Sequence, residues 1–144
     1  MKIKFTPVSL NDLQLLFELH SMSMSEIVNK VFGWDEGRQR AMFCDKFSTM
    51  DYFWILLDEM PVGALRLKEH PGLLEIRSLE IYPKYHNQGI GTALLKHLIH
   101  RANYEQINLF LRVFQINPAI NLFMRMGFKI YDENDTHFML IYRT

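Results

Sequence analysis

One stretch of the sequence, residues 73–113, constrains the fold more than any other feature. Leu73 to Tyr82 reads as a strand that must end by Pro83, because a proline has no N–H to give to a sheet. Ile90 to Ala102 then repeats apolar residues on one helix face, and Ile107 to Val113 reads as another strand. This order predicts a right-handed parallel crossover whose helix packs on a sheet.

Two helices are predicted in the N-terminal third of the chain. Lys2 to Val8 alternates polar and apolar residues as a strand does, and Ser9 can cap a helix whose apolar stripe runs to Gly33. Asp35 is the natural cap of a second helix, Glu36 to Phe47. We expect four residues of this second helix to face inward: Ala41, Met42, Phe43 and Phe47.

The rest of the chain supplies short strands and one short helix. The further strands are predicted at Tyr52–Leu57, Val62–Lys68, Phe128–Tyr131 and His137–Tyr142. Asn117-Pro118 opens a short helix that Gly127 closes. The predicted fold class is therefore α+β, a mixed and mostly antiparallel sheet of about seven strands. One parallel β-α-β crossover lies near its centre, helices flank it, and residues 1–144 form a single domain.

Composition narrows the partners that we expect. Sixteen Lys and Arg residues balance sixteen Asp and Glu, which does not favour nucleic acid or an anionic membrane surface. The polar N-terminus and the short apolar runs predict neither a signal peptide nor a membrane span. The single cysteine, Cys44, fits a reducing compartment, so we expect a cytoplasmic protein. Cys44 also lies on a predicted apolar helix face, where a thiol is usually inert.

The six histidines do not predict a metal site. His97 and His100 fall on the solvated face of the amphipathic helix, and no carboxylate or third ligand stands at a supporting spacing. We therefore expect no metal.

The loop His86-Asn87-Gln88-Gly89-Ile90-Gly91-Thr92 stands at the predicted start of the amphipathic helix. The first N–H groups of a helix have no partners within it and its dipole favours negative charge, so glycines there admit a phosphate. A tight turn without a ligand is the alternative. The loop is not a Walker loop, because Thr92 and Ala93 follow Gly91, and Leu94 breaks the dinucleotide fingerprint.

Two motifs resemble those of the GNAT N-acetyltransferase superfamily. Residues 79–95, Leu-Glu-Ile-Tyr-Pro-Lys-Tyr-His-Asn-Gln-Gly-Ile-Gly-Thr-Ala-Leu-Leu, resemble its acetyl-CoA signature. Residues 117–128, Asn-Pro-Ala-Ile-Asn-Leu-Phe-Met-Arg-Met-Gly-Phe, are similar to its second motif. The two motifs stand at the family's usual separation, and the predicted element order matches the family fold from end to end.

The resemblance implies an enzyme that transfers acetyl from acetyl-CoA directly to an amine, without a covalent enzyme intermediate. In the family, loop amides cradle the coenzyme pyrophosphate, the preceding strand pairs with the pantetheine arm, and the second motif contacts that arm. The cofactor-binding residues implied here are Leu79, Ile81, Gln88, Gly89, Ile90, Gly91, Thr92, Asn117 and Phe123.

The sequence departs from the family pattern at two places. His86 stands where the family has Gln or Arg, with Asn87 at a place often held by glycine. Phe123 occupies the position that commonly carries a tyrosine, thought to protonate the departing thiolate, and phenylalanine has no proton to donate. Tyr131, Tyr142 or a water could replace that donor, coenzyme A could leave as the thiolate, or activity could be lost.

Two glutamates are candidates for the base that removes the amine proton. Glu75 lies where the histone-modifying branch of the family places its catalytic glutamate, and Glu80 lies nearer the point where the strands splay. Either could act directly or through water. The alternative for each is a solvated carboxylate on a face of the sheet.

The acceptor site is expected between the first two helices. Phe32-Gly33-Trp34-Asp35-Glu36 combines aromatic rings with two acids, which suits a cationic amine, and Trp34 is the predicted substrate contact. A small-molecule amine is the expected acceptor, and a peptide remains open. Two other classes also stay open, a non-catalytic acyl-CoA-binding module and a phosphate-binding domain unrelated to coenzyme A. The apolar run Phe138–Ile141 makes a homodimer an expectation as well.

Overall fold

The structure is a computed structural model that describes residues 2–144. Its strands are β1 (Ile3–Pro7), β2 (Tyr52–Leu57), β3 (Met60–His70), β4 (Leu73–Ile81), β5 (Asn108–Phe114), β6 (Lys129–Glu133) and β7 (His137–Tyr142). Its α-helices are α1 (Leu13–Val31), α2 (Glu36–Lys46), α3 (Ile90–Glu105) and α4 (Ile120–Arg125).

The seven strands form one sheet in the order β1-β2-β3-β4-β5-β7-β6. Strands β4 and β5 pair in parallel, whereas β1 with β2, β2 with β3, β5 with β7 and β6 with β7 are antiparallel. Helix α3 connects the two parallel strands. The predicted fold class is confirmed: the sheet is mixed and mostly antiparallel, with one parallel β-α-β crossover.

The chain divides into two compact units. The first runs to Arg66 and includes Ser78–His86, and the second consists of Leu67–Arg77 and Asn87–Thr144. Strands β3 and β4 each contribute residues to both units.

In the first unit, α1 packs one apolar face onto the sheet. Its Leu16 and Leu19 are buried with Val8, Tyr52 and Ala64, and partly buried aromatic residues surround this cluster. Ser9 caps a 3-10 turn, Leu10–Asp12, that leads into α1, whereas α2 begins directly after its predicted cap, Asp35. The Ser9 backbone N–H donates to Asp12 Oδ2 over 2.8 Å, and Asp35 Oδ1 accepts from the Arg38 N–H over 2.9 Å.

Two predictions about α2 are wrong. Phe43 and Phe47 are half-buried, but Ala41 and Met42 are exposed, because this polar surface helix buries only a narrow stripe with a spacing of four residues. Cys44 is exposed as well, so the apolar surroundings expected for its thiol are absent.

In the second unit, α3 covers one face of the parallel strand pair. Its buried residues are Ile90, Leu94, Leu95, Leu98 and Ala102, all on the predicted apolar face. Gly127, two residues past the end of α4, terminates that helix with a φ of +100°, and the Phe128 N–H donates to the Phe123 carbonyl over 3.1 Å. This is the hydrogen bond of a glycine-terminated helix, as the sequence predicts.

Candidate active site

Glu80, near the end of β4, is the one charged side chain that is buried among residues 2–144, with 4% of its surface exposed. Its Oε2 lies 2.8 Å from Nδ1 of His20 on α1. No protein group donates to its other oxygen, Oε1, which is also buried. A buried carboxylate is costly to keep in a fold unless its oxygens find donors, so residues of this kind are concentrated at functional sites.

His20 lies between the carboxylate and a group of aromatic rings. Its imidazole centroid is 5.4 Å from the ring of Phe43, 6.1 Å from Trp34 and 6.4 Å from Phe17. The imidazole keeps 26% of its surface exposed, whereas Glu80 is almost fully covered. The ring can therefore reach a bound molecule while its Nδ1 side faces the protein interior.

The chain turn after α1 places Trp34 beside His20. Gly33 adopts a left-handed conformation, φ +80°, that few other residues accept, and the Trp34 N–H then donates to Asn29 Oδ1 over 3.0 Å. The indole Nε1 donates to Glu36 Oε2 over 2.9 Å. The predicted acceptor contact thus has an aromatic face, a fixed orientation and an acidic neighbour.

Tyr52 is a buried tyrosine that feels the charge of Glu80, and its ring contacts the ion pair of Arg66 and Asp51. Burial raises the pKa of Tyr52, and the charge of Glu80 raises it further, so this phenol stays neutral at physiological pH. The guanidinium of Arg66 lies 5.2 Å from the Tyr52 ring centroid and 2.9 Å from Asp51 Oδ2. The charge of Arg66 is therefore already balanced by a neighbouring carboxylate.

Glu75, the second candidate base, lies in the other unit and has different surroundings. Its Oε1 is 2.9 Å from His70 Nε2 and 3.6 Å from Arg77 Nε, on the partly exposed surface of β4. These contacts form a small ion cluster on the sheet. Glu75 belongs to the second unit and Glu80 to the first.

The glycine loop leads directly into α3, at the position that the sequence predicts. Asn87 and Gly89 both have positive φ, +61° and +77°, and the Gly89 carbonyl accepts the first helical hydrogen bond from the Ala93 N–H. A Cβ on Gly91 would meet Leu122 Cδ2 at 3.0 Å, so this glycine allows α3 to pack closely on α4. The first amides of α3 have no partners within the helix.

The strand that leads into this loop is fixed by a side chain. His86 Nε2 lies 2.8 Å from the Ile81 carbonyl, and since a carbonyl only accepts, Nε2 carries the proton. Leu79 and Ile81 are half-buried. His86 thus stabilises the exit of β4 at the place where the family pattern has Gln or Arg.

Two residues of the second motif have structural contacts of their own. Asn117 Oδ1 accepts from the Ala119 N–H over 2.9 Å, which caps the turn before α4. The ring of Phe123 is 7% exposed and packs edge-on against Phe128, with centroids 5.8 Å apart. Phe123 therefore contributes a packing contact, and its side chain has no proton that it could donate.

His20 is the site residue that the sequence analysis did not identify. A signal was present, because His20 continues the helical spacing of Leu13, Leu16 and Phe17, where an apolar residue would be expected. Its partner is 60 residues away in the sequence, so only the fold reveals the pair.

Within residues 2–144, no three His, Cys, Asp or Glu side chains come close enough to hold a metal ion. The same part of the chain contains no helix with the length and apolar character needed to cross a bilayer.

Comparison with protein families gives one match. A family model described as "Acetyltransferase (GNAT) family" matches residues 13–128. No curated protein matches the sequence.

Several solved structures share the fold. The PaiA N-acetyltransferase from Thermoplasma acidophilum, in complex with coenzyme A, is 20% identical over 100% of both chains, with a TM-score of 0.78. An acetyltransferase from Thermus thermophilus is 19% identical over 100% of this chain and 98% of its own, with a TM-score of 0.75. The ribosomal-protein-S18-alanine N-acetyltransferase from Escherichia coli is 17% identical over 99% and 94%, with a TM-score of 0.69.

Proposed function

The chain belongs to the GNAT acetyltransferase family, and from this premise we propose that it transfers an acetyl group from acetyl-CoA directly to a small-molecule amine. The observation that carries the proposal is the buried Glu80, paired with His20, whose ring centroid lies 6.1 Å from that of Trp34. Acetyl transfer is the reaction of the family, and the residues of this site could bind the amine and remove its proton.

The amine must be neutral when it attacks. An alkylamine has a pKa of about 10, so most of it carries a proton at neutral pH and a base must remove that proton. Glu80 supports this role better than Glu75, because its Oε1 accepts no hydrogen bond from the protein and Glu75 is held by His70 and Arg77. We assign the deprotonation to Glu80, acting directly or through a neighbouring group.

The glycine loop would hold the coenzyme. The left-handed Gly89 and the first amides of α3 suit a pyrophosphate, and the loop residues Gln88, Ile90, Gly91 and Thr92 would contribute backbone N–H groups. The main chain at Leu79 and Ile81 would pair with the pantetheine arm, and Asn117 and Phe123 would line its path. When bound, acetyl-CoA supplies an activated acyl thioester.

No proton donor is required at position 123. A thiol has a pKa of about 8.5, so the thiolate is a fair leaving group at neutral pH. Phe123 can therefore serve by packing alone, with its ring against Phe128.

The acceptor would be a cationic amine of modest size. Trp34 offers an aromatic face that attracts ammonium groups, and Glu36 places a negative charge at its edge. The zero net charge of the chain gives no large field for a polyanionic partner.

A second candidate is a protein that binds acyl-CoA without catalysis, favoured by the phenylalanine at position 123. Incubation of the pure protein with isotopically labelled acetyl-CoA and polyamines, amino acids, aminoglycosides and lysine peptides separates the two. Mass spectrometry is expected to find a labelled small-molecule amine. Acetyl-CoA binding in calorimetry without any labelled product would establish the second candidate instead, and absence of binding would exclude both.

A further inference from the structure

The hydrogen bond between His20 and Glu80 determines which imidazole nitrogen is basic. An ionised carboxylate can only accept, so a Glu80 carboxylate at 2.8 Å requires that His20 Nδ1 carry the proton. Nε2 then has a free lone pair. This is the arrangement by which a buried carboxylate fixes the tautomer of a histidine base in hydrolases of unrelated fold.

In this arrangement the carboxylate of Glu80 should be buried and the imidazole of His20 should reach the surface. Glu80 is 4% exposed and His20 is 26% exposed, so the imidazole is the group that can contact a molecule arriving from solvent. Among residues 2–144, Glu80 is the only hydrogen-bond partner of the His20 ring. Nε2 is therefore available to a ligand.

The elements around His20 give it few other charged neighbours. Helix α2 presents the uncharged Phe43 to the imidazole, and its Glu36 accepts the hydrogen bond of the Trp34 indole N–H. On α1 itself, the Phe17 ring centroid is 6.4 Å from that of His20, and the guanidinium of Arg40, on α2, is 4.4 Å from the Phe17 centroid. Glu80, on β4, is thus the charge in direct contact with the ring.

We propose that His20 is the catalytic base for the acceptor amine, and that Glu80 is the positioning residue that orients it. This inference rests on the proposed acetyl transfer and specifies how Glu80 contributes to it. Nε2 of His20 takes the proton from the amine nitrogen, and the adjacent carboxylate balances the imidazolium that forms.

The step is balanced without any further reactant. An N–C bond forms between the amine and the acetyl carbonyl carbon, and the C–S bond of the thioester breaks. The sulfur leaves with its electron pair as the coenzyme A thiolate. Nε2 passes the ammonium proton to solvent water before the attack, and it takes a second proton from the same nitrogen once the N–C bond has formed. The ammonium ion and the thioester therefore give the amide, the thiolate and two protons.

The test compares three variants of the full chain with the wild type. His20→Asn keeps a side-chain N–H that can donate to Glu80 but has no titratable nitrogen, and Glu80→Gln removes the orienting charge. His100→Asn changes a histidine on the exposed face of α3 and serves as the matched control. The readout is the release of coenzyme A thiol that depends on an added mixture of spermidine, L-lysine, kanamycin and a lysine peptide.

The expected result is a loss in kcat of about 100-fold or more for His20→Asn, the usual contribution of a general base. Acetyl-CoA affinity and thermal stability should stay near those of the wild type. The acid limb of the kcat/KM pH profile should disappear in this variant, because asparagine has no nitrogen that takes up a proton. Glu80→Gln should lose less than His20→Asn, and His100→Asn should match the wild type.

Two outcomes would overturn the inference while leaving the proposed function intact. One is that His20→Asn retains amine-dependent release within about threefold of the wild type. The other is that Glu80→Gln loses more activity than His20→Asn, which would make the carboxylate itself the base. If the wild type shows no amine-dependent release at all, the proposed function fails, and the inference fails with it.

Discussion

Gly63 on β3 lies directly against the backbone of Glu80. A Cβ built on Gly63 would stand 2.2 Å from the Glu80 carbonyl oxygen and 3.0 Å from the Cα of Ile81. Both contacts involve backbone, which cannot move aside as the end of a side chain can. The absence of a side chain at position 63 therefore allows β4 to place Glu80 where it meets His20.

Gly63→Ala should lower the free energy of unfolding by about 3 kcal/mol, because the added methyl forces two packed strands apart. The folded fraction should also lose acetyl transfer, since Glu80 is displaced. Gly37→Ala is the matched control, because its Cβ meets only Asp35 Oδ1, at 3.6 Å, in the first turn of α2. That change should be neutral or stabilising by up to about 1 kcal/mol, measured by urea unfolding. Equal stability of the two variants would contradict the argument.

Gly89→Ala should weaken acetyl-CoA binding about tenfold or more, because a non-glycine residue resists the left-handed conformation that starts α3. Gly72 offers a control, since its φ of +71° is similar and open space surrounds its Cβ position in the turn before β4. Gly72→Ala should cost similar stability, about 1 kcal/mol, and leave the affinity unchanged. Calorimetric titration with acetyl-CoA measures both variants, and equal losses of affinity would exclude a role for the loop.

The parts of this protein that the sequence predicts are those that depend on local chemistry. The parallel crossover is predicted from features that each involve only a few neighbouring residues: Pro83, the glycines of the loop and the apolar face of α3. The prediction that Ala41 and Met42 face inward is wrong, because the depth to which a helix is buried depends on the elements packed against it.

The pairing within the candidate site could not be predicted in this way. His20 and Glu80 are 60 residues apart, and nothing near either residue indicates the other. Glu80 and Glu75 also look alike in the sequence, as two acids on one strand. Only packing makes one of them buried and the other part of a surface ion cluster.

Trp34→Ala should raise the KM for the acceptor amine about tenfold, since a cation near an aromatic face gains about 1 kcal/mol or more when partly desolvated. The KM for acetyl-CoA should stay unchanged. Trp34→Phe keeps a ring but loses the indole N–H that donates to Glu36, so a smaller rise is expected. Steady-state kinetics with each substrate varied in turn provides the measurement. A change confined to acetyl-CoA would place Trp34 outside the acceptor site.

Asp12 should make stability depend on pH in the acid range. Its Oδ2 accepts from the Ser9 N–H and from Trp54 Nε1, and the Ser9 hydrogen bond is the main cause that lowers the pKa of this carboxyl. A group whose pKa is lower in the folded state stabilises the fold above its unfolded pKa of 3.8, and loses this effect as the pH falls.

Asp12→Ala should therefore cost about 1 kcal/mol at neutral pH, as the loss of a helix cap does, and less at about pH 3. Asp45→Ala, on the exposed face of α2, should change the free energy of unfolding by less than about 0.5 kcal/mol at either pH. Urea unfolding at the two pH values gives both differences. A cost for Asp12→Ala that does not shrink in acid would show that its charge is irrelevant.

Phe123→Tyr tests whether a proton donor is missing from the second motif. If coenzyme A leaves as the thiolate, the new hydroxyl has no step to assist, and amine-dependent turnover should change by less than about threefold. Stability should fall by about 1 kcal/mol, because the hydroxyl enters the packed contact with Phe128. Phe110→Tyr, on the half-buried face of β5, adds the same group away from this contact and should cost less. A gain in turnover of about tenfold or more would instead show that the phenylalanine has disabled the protonation step.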